Sequence, residues 1–331
     1  MFKVTLKKIG TIAIASMLAG GSAYAAEFNF TFAHVLTEST PNAKAAIKFK
    51  EEVEKNSNGR IQINVRPAAQ LGGDVEIIEQ TQMNLVQIAI PPTGNLANFQ
   101  AKMFLFDLPY LMEDEAAMKR LLDGDVGREL LDTLSDNNLY GVNYWGAGFR
   151  HMTNNIRPIE EPDSLKNIKM RTLQAPTILA TYRTFGANPT AMAYTEVYNG
   201  LQQGVVEGQE NPLANIDSMK FYEVQKYMTL TGHAYHTYAA VVNKAAWESL
   251  PEDLQKVMRD AFDVGRDYAR ELTVEDEKKI LANIKDQIEI RELTPEGKAK
   301  FVEKSKAIYK QFEREVTPEL MQKAIKAASG N

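Results

Sequence analysis

Two arginines stand where a buried anion could be gripped. Arg150 follows a glycine-rich apolar segment in GFRHMTN, and Arg171 closes the segment IKMR. Only arginine presents a planar fork that holds a carboxylate through two parallel hydrogen bonds. The same placement would also suit a salt bridge at the surface or between domains. Other chemistries lack support. The chain contains no G-x-S-x-G, H-E-x-x-H, phosphate-binding Walker loop or G-x-G-x-x-G. His233 and His236 are three apart in an apparent strand region, so they should face opposite sides and form no metal pair. No spacing among the 43 acids singles out a catalytic pair. Neither enzyme chemistry, cofactor nor metal is expected.

The elements that must position these groups alternate in type. Residues 27–35 alternate apolar and polar, which is strand periodicity, and end at His34. Pro41 opens a helix closed by Asn58-Gly59, and residues 60–65 form a second strand, giving a parallel β-α-β unit with a right-handed crossover. A helix over 74–82 and a short strand over 86–90 follow, and the loop Pro91-Pro92-Thr93-Gly94-Asn95 then falls at the carboxyl edge of the sheet. FLFDLPY at 104–110 reads as core packing with a proline turn in preference to ligand contact. Residues 139–149 form a strand with three glycines, 165–171 another, and 177–185 a helix.

Residues 186–215 pack three instructions together. Thr195-Glu196 starts a helix that Gly204 stops, 205–210 is a short strand, and Asn211-Pro212 caps the next helix with proline at its first position. Polar groups (Tyr194, Glu207, Gln209, Asn211) crowd the element ends, where α/β folds bind ligands. Strands over 224–231 and 235–243 lead to the longest helix, from Pro251 to about Ile284, long enough to tie two domains together.

Composition sets the destination. Lys3, Lys7 and Lys8, the apolar run 9–18 and Ala23-Tyr24-Ala25 form a signal peptide over 1–25, cleaved after Ala25. Cysteine is absent, so neither a lipid anchor nor a disulfide framework is expected. Without the three leader lysines the side chains comprise 35 basic and 43 acidic residues. No basic run interleaves with aromatics, which argues against nucleic acid. From the residues alone the reading is an exported two-domain α/β protein that binds a small ligand.

The chain resembles the extracytoplasmic solute receptors of tripartite ATP-independent periplasmic (TRAP) transporters. The marks are FAHV at 32–35, QLGGD at 70–74, FDLPY at 106–110, YWGAGFRHMTN at 144–154, KMR at 169–171, the stretch beginning GANPTAMAYTEVYNGLQQG at 186, FYEVQKY at 221–227 and LPEDLQKV at 250–257. The resemblance implies two α/β domains of the periplasmic-binding-protein type, joined by crossing hinge strands and one long helix spanning both. It divides the chain into 27–147 with 237–276 and 148–236 with 277–331, the ligand cleft between them. It places the ligand carboxylate on Arg171, with Arg150 as a second arginine, Asn211 as a donor and Tyr194 stacked on the ligand. His34, Asp74 and Asn95 fall where members vary with substrate. Sialic-acid receptors carry an arginine where this chain has Asn95, which disfavours that ligand. The implied role is a periplasmic, monomeric receptor that delivers a C4-dicarboxylate or a sugar acid (uronate or aldonate) to the membrane permease subunits. A sensory protein presenting ligand to a membrane kinase, and an exported hydrolase, are the alternatives.

Overall fold

The computed structural model describes residues 26–330, so the leader and its cleavage site lie outside the described residues. Ten strands are found there: β1 (Phe28–Ala33), β2 (Ile61–Arg66), β3 (Ile88–Ala89), β4 (Leu139–Asn154), β5 (Lys169–Thr172), β6 (Asn188–Ala191), β7 (Gly208–Pro212), β8 (Tyr227–Leu230), β9 (Tyr235–Asn243) and β10 (Glu289–Glu292). The main path runs β2-β1-β3-β9-β4-β7-β5-β6, with β8 on β4 and β10 on β8. β1 and β2 pair in parallel across helix Pro41–Asn56, as the alternation of residues 27–65 requires.

β4 organises the molecule. Its first eleven residues pair antiparallel with β9, and its last five with β7 and β8, so one strand belongs to two sheets. The register against β9 slips between Gly146 and Phe149, and Gly148 there has φ +89°, a conformation that only glycine adopts without strain. The chain thus crosses between sheets next to Arg150.

Aromatic side chains fill the first sheet's core. Phe32 meets Phe49 of helix Pro41–Asn56 edge-on at 5.5 Å, and Phe49 lies 4.2 Å from Phe262 of the long helix. That helix runs Glu252–Ile284, with Pro251 as its N-cap and not its first residue. Its buried positions Leu254, Met258, Ala261, Phe262, Gly265 and Ala269 form one stripe at helical spacing. Gly265 is where Trp145 packs closest: a Cβ there would lie 2.5 Å from the indole. A second apolar cluster (Met152, Ile168, Met170, Ile178, Tyr182, Phe185, Phe301) fills the other sheet. The FLFDLPY segment runs out of a 3-10 turn over Ala101–Asp107, and its Phe104, Leu105, Phe106, Leu108 and Tyr110 are buried, in keeping with core packing. The C-terminal helices touch both halves. Helix Pro295–Val316 packs on helix Pro176–Phe185, and Pro318–Ser329 packs on helix Glu115–Leu122.

Two expectations from residues 186–215 change. Asn211 is the fourth residue of β7, paired with His151 of β4, and Pro212 is the N-cap of the next helix, which starts at Leu213. The Asn-Pro pair reads locally as a helix start, but the β4 partner strand extends the ladder through it. A 3-10 turn over Tyr194–Glu196 precedes helix Val197–Gln202, so Thr195 caps nothing.

Candidate functional site

Where the two sheets face one another lies a small cavity of about 20 Å³. Asp74, Arg150, Arg171, Tyr194 and Asn211 all line it, together with Asn215, His236 and Tyr238. Five side chains from five separate elements of the chain therefore converge. His34 and Asn95 do not line it. Both are buried; His34 opens onto a neighbouring groove beside helix Pro41–Asn56, and neither of its ring nitrogens has a hydrogen-bond partner among the described residues. Burial drives its imidazole down to about 4, so it is neutral at neutral pH.

The two arginines differ in what surrounds them. Arg150 is buried against an equally buried carboxylate, Glu210. Its Nε and Nη2 donate to the two carboxylate oxygens, Nη2 donates again to the Glu210 carbonyl at 2.9 Å, and Nη1 donates to His236 Nδ1. Four of the roughly five guanidinium N–H groups are thereby spent, and one remains. Burial works against the charge on Arg150, but Glu210 more than compensates and raises its pKa above the arginine norm. Burial likewise pushes Glu210 up, yet Arg150 and His233 pull it down to about 2. The pair is a neutral, fully ionised unit.

Arg171 has no such partner. It is 2% exposed, and its Nε and Nη2 both donate to the Met192 carbonyl, at 3.0 and 2.6 Å. No carboxylate lies within salt-bridge distance of it among the described residues. Burial lowers its pKa to about 10, with Glu210 and Asp74 opposing that shift at longer range. It stays charged at neutral pH, one positive charge held in a poorly solvated place. Part-buried Asp74 is a second counterweight after Glu210: burial pushes its carboxyl up to about 7, Arg171 pulls it back and Glu76 adds to the rise.

Neutral donors and acceptors are fixed by a relay. Thr153 donates to Gln225, Gln209 donates to Thr153 at 3.0 Å, Asn211 donates to Gln209 at 2.6 Å, and Asn215 donates to Asn211 at 3.3 Å. Each amide's orientation is set by the next, which fixes which edge Asn211 presents. Tyr194 lies buried, its hydroxyl donating to the Asn215 carbonyl at 3.2 Å and its ring edge-on to Phe221.

Sequence reasoning missed several members. Glu210, His236, Tyr238 and Asn215 belong to the site or its support, and the one available signal was the polar run Gln209-Glu210-Asn211 at a strand end. The histidine expectation fails for a specific reason. His233 precedes β9, in the turn after β8, so strand alternation does not apply to it. His233 lies 3.4 Å from Glu210 while His236 meets Arg150, and both serve the same ion pair. Among the described residues no group of three or more His, Cys, Asp or Glu side chains could hold a metal.

Known proteins share this architecture. The family model of bacterial extracellular solute-binding proteins, family 7, matches residues 32–315. A C4-dicarboxylate-binding periplasmic protein of Rhodobacter capsulatus is 36% identical over 301 residues, covering 90% of each chain. The 2,3-diketo-L-gulonate-binding periplasmic protein of Escherichia coli is 31% identical, covering 84% of this chain and 86% of its own. Among solved structures, a sugar-acid-binding protein of Advenella mimigardefordensis in complex with galactonate has a TM-score of 0.88 at 30% identity, over 91% of this chain and 98% of that one. A TRAP periplasmic solute-binding protein of Sulfurospirillum deleyianum with bound succinate has a TM-score of 0.86 at 34% identity, over 90% and 98%.

Proposed function

This chain belongs to the bacterial extracellular solute-binding proteins of family 7, and we propose from that premise that Arg171 is the anchor for the carboxylate of its solute. The protein is a TRAP solute receptor for small organic acids, a class that includes C4-dicarboxylates and sugar acids. One observation supports Arg171 as the anchor: it is a buried cation that lines a small cavity and has no ion-pair partner among the described residues. An uncompensated buried charge is costly, and an incoming carboxylate removes that cost while making two charge-assisted hydrogen bonds. Asn211, held by its relay, adds a directional donor, Tyr194 an apolar wall, and Arg150 its single remaining N–H.

Between the two ligand classes, the charge count favours a sugar acid. Arg150 is already neutralised by Glu210, which leaves one cation for the ligand. A dicarboxylate would bring a second negative charge towards Asp74, whereas the hydroxyls of an aldonate or uronate can donate to that carboxyl. The dicarboxylate reading draws its support from relatives such as the Rhodobacter protein.

The lobes in this reading are 27–147 with 237–276 and 148–236 with 277–331. They close about the crossing of β4 near Gly148, and ligand contacts made only in the closed form shift the equilibrium towards it. The receptor is exported to the periplasm as a monomer and hands its acid to the permease subunits. A thermal-shift screen with galactonate, glucuronate, succinate and malate tests the assignment, since a ligand that binds only the native state raises Tm. Rises with the sugar acids are expected. Unchanged melts with all four acids would remove the receptor reading, and a rise with succinate or malate alone would reassign the ligand class.

A further inference from the structure

Gly94 lies in the short helix Thr93–Leu96, at the first sheet's carboxyl edge, and its φ does not require glycine. Space does. A Cβ at Gly94 would sit 2.9 Å from the Cβ of Ala175 and 2.7 Å from Asp107 Oδ2. Ala175 is the N-cap of helix Pro176–Phe185, which covers the second sheet, so the crowding comes from the opposite half of the molecule. The carboxylate could swing aside, but the alanine methyl is fixed to a helix end. Beside them Asn98 donates across the same boundary to the Gln174 carbonyl at 2.7 Å. Asp107 Oδ2, Asn95 Oδ1 and Thr177 Oγ1 are all buried without a hydrogen-bond partner among the described residues, all three in the segments that meet here.

We propose that Gly94 and Ala175 form the closure seam of the receptor: the missing side chain at 94 lets the two lobes seat against each other and seal the ligand cavity. The seam lies outside the cavity lining, so it acts on closure and not on ligand contact. The proposal rests on the lobe-closure reading above and adds to it a residue pair that sets how far closure goes. Asn98 ties the seated form through one hydrogen bond, and the small residues at 94 and 175 set the distance of approach.

The chain has no cysteine, which makes a direct test clean. In an Asn98→Cys/Gln174→Cys variant, which leaves the small residues at 94 and 175 intact, the two thiols come together only when the seam is seated, because Asn98 reaches residue 174 across that boundary. The variant is treated with diamide, with and without 10-fold excess galactonate or succinate (a reagent choice, about saturating by mass action). Thiol labelling and X-ray scattering then read cross-linking and compaction. Rapid loss of free thiols with compaction, accelerated by whichever acid raises the wild-type Tm, is expected. Thiols that stay free in a variant whose reduced form melts like wild type would overturn the seam. Cross-linking without any acid raising the wild-type Tm keeps the seam and removes the ligand assignment. As a second readout, Gly94→Ala should weaken acid binding by about tenfold or more, and Ala175→Gly added to it should restore most of the loss. Wild-type affinity and compaction in Gly94→Ala would equally overturn the proposal.

Discussion

Arg171 spends two of its N–H groups, Nε and Nη2, on the single carbonyl of Met192, and faces no carboxylate within salt-bridge range among the described residues. The carbonyl aims the guanidinium without neutralising it. A backbone acceptor fixes the fork in one orientation while the charge stays available.

Replacing this group therefore tests the anchor directly. Arg171→Ala should weaken acid binding by about 2–5 kcal/mol, the cost of removing one partner of a buried charged pair. Arg171→Lys keeps the charge but loses the fork and the double bond to Met192, so it should also bind markedly more weakly. Calorimetry with the acid identified by thermal shift measures both, and wild-type affinity in the lysine variant would falsify the bidentate anchor.

Glu210 should matter to stability more than to ligand contact. Glu210→Gln leaves Arg150 buried and uncompensated, with a loss of about 3–5 kcal/mol of folding stability expected. The pH dependence follows from its depressed pKa. The unfolded carboxyl titrates near its ordinary value of 4.5 and the folded one at about 2, so its stabilisation is present above 4.5 and is lost as pH falls through 2. Urea melts across that range should show the loss in the wild type and not in Glu210→Gln.

Asp74 carries the opposite sign. Its folded pKa is raised to about 7, from 3.8, so between those values the native state binds more protons than the unfolded state. Stability contributed by this group is full at low pH and falls as pH rises through 7. Asp74→Asn should flatten that part of the pH profile and melt higher than wild type at pH 8, in the absence of ligand. An unchanged slope in the asparagine variant would show that other groups produce it.

Packing at the long helix gives a fourth test. Gly265→Ala would place its methyl 2.5 Å from the fully buried Trp145. Alanine gains about 1 kcal/mol of helix propensity, but overpacking against a fully buried ring costs about 1–3 kcal/mol, so a net loss is expected. A melting temperature equal to or above wild type would mean that Trp145 has room to yield.

Much of the architecture was open to local reasoning. The alternation of residues 27–35 and 60–65 and the stripe from Leu254 to Ala269 each follow from side-chain period, because one buried face fixes the pattern. Arg171, Asn211 and Tyr194 could be singled out as polar or aromatic groups at element ends, and the family resemblance gave them roles. The difference between the two arginines could not be read. Arg150 and Glu210 are sixty positions apart, and the neutral unit they form arises only when β4 lies beside β7. The same ladder carried Asn211 past the point where Asn-Pro should have begun a helix.

The chain on its own determined the alternating α/β elements, the long tying helix and the presence of two arginines able to hold an acid. Those are properties of side-chain period and functional-group chemistry, which act over a few residues. Tertiary structure decided which arginine keeps an unmatched charge, where His34 and Asn95 go, and that Gly94 is empty to admit Ala175. Charge compensation and steric fit depend on distance in space, and the groups concerned are tens of residues apart along the chain.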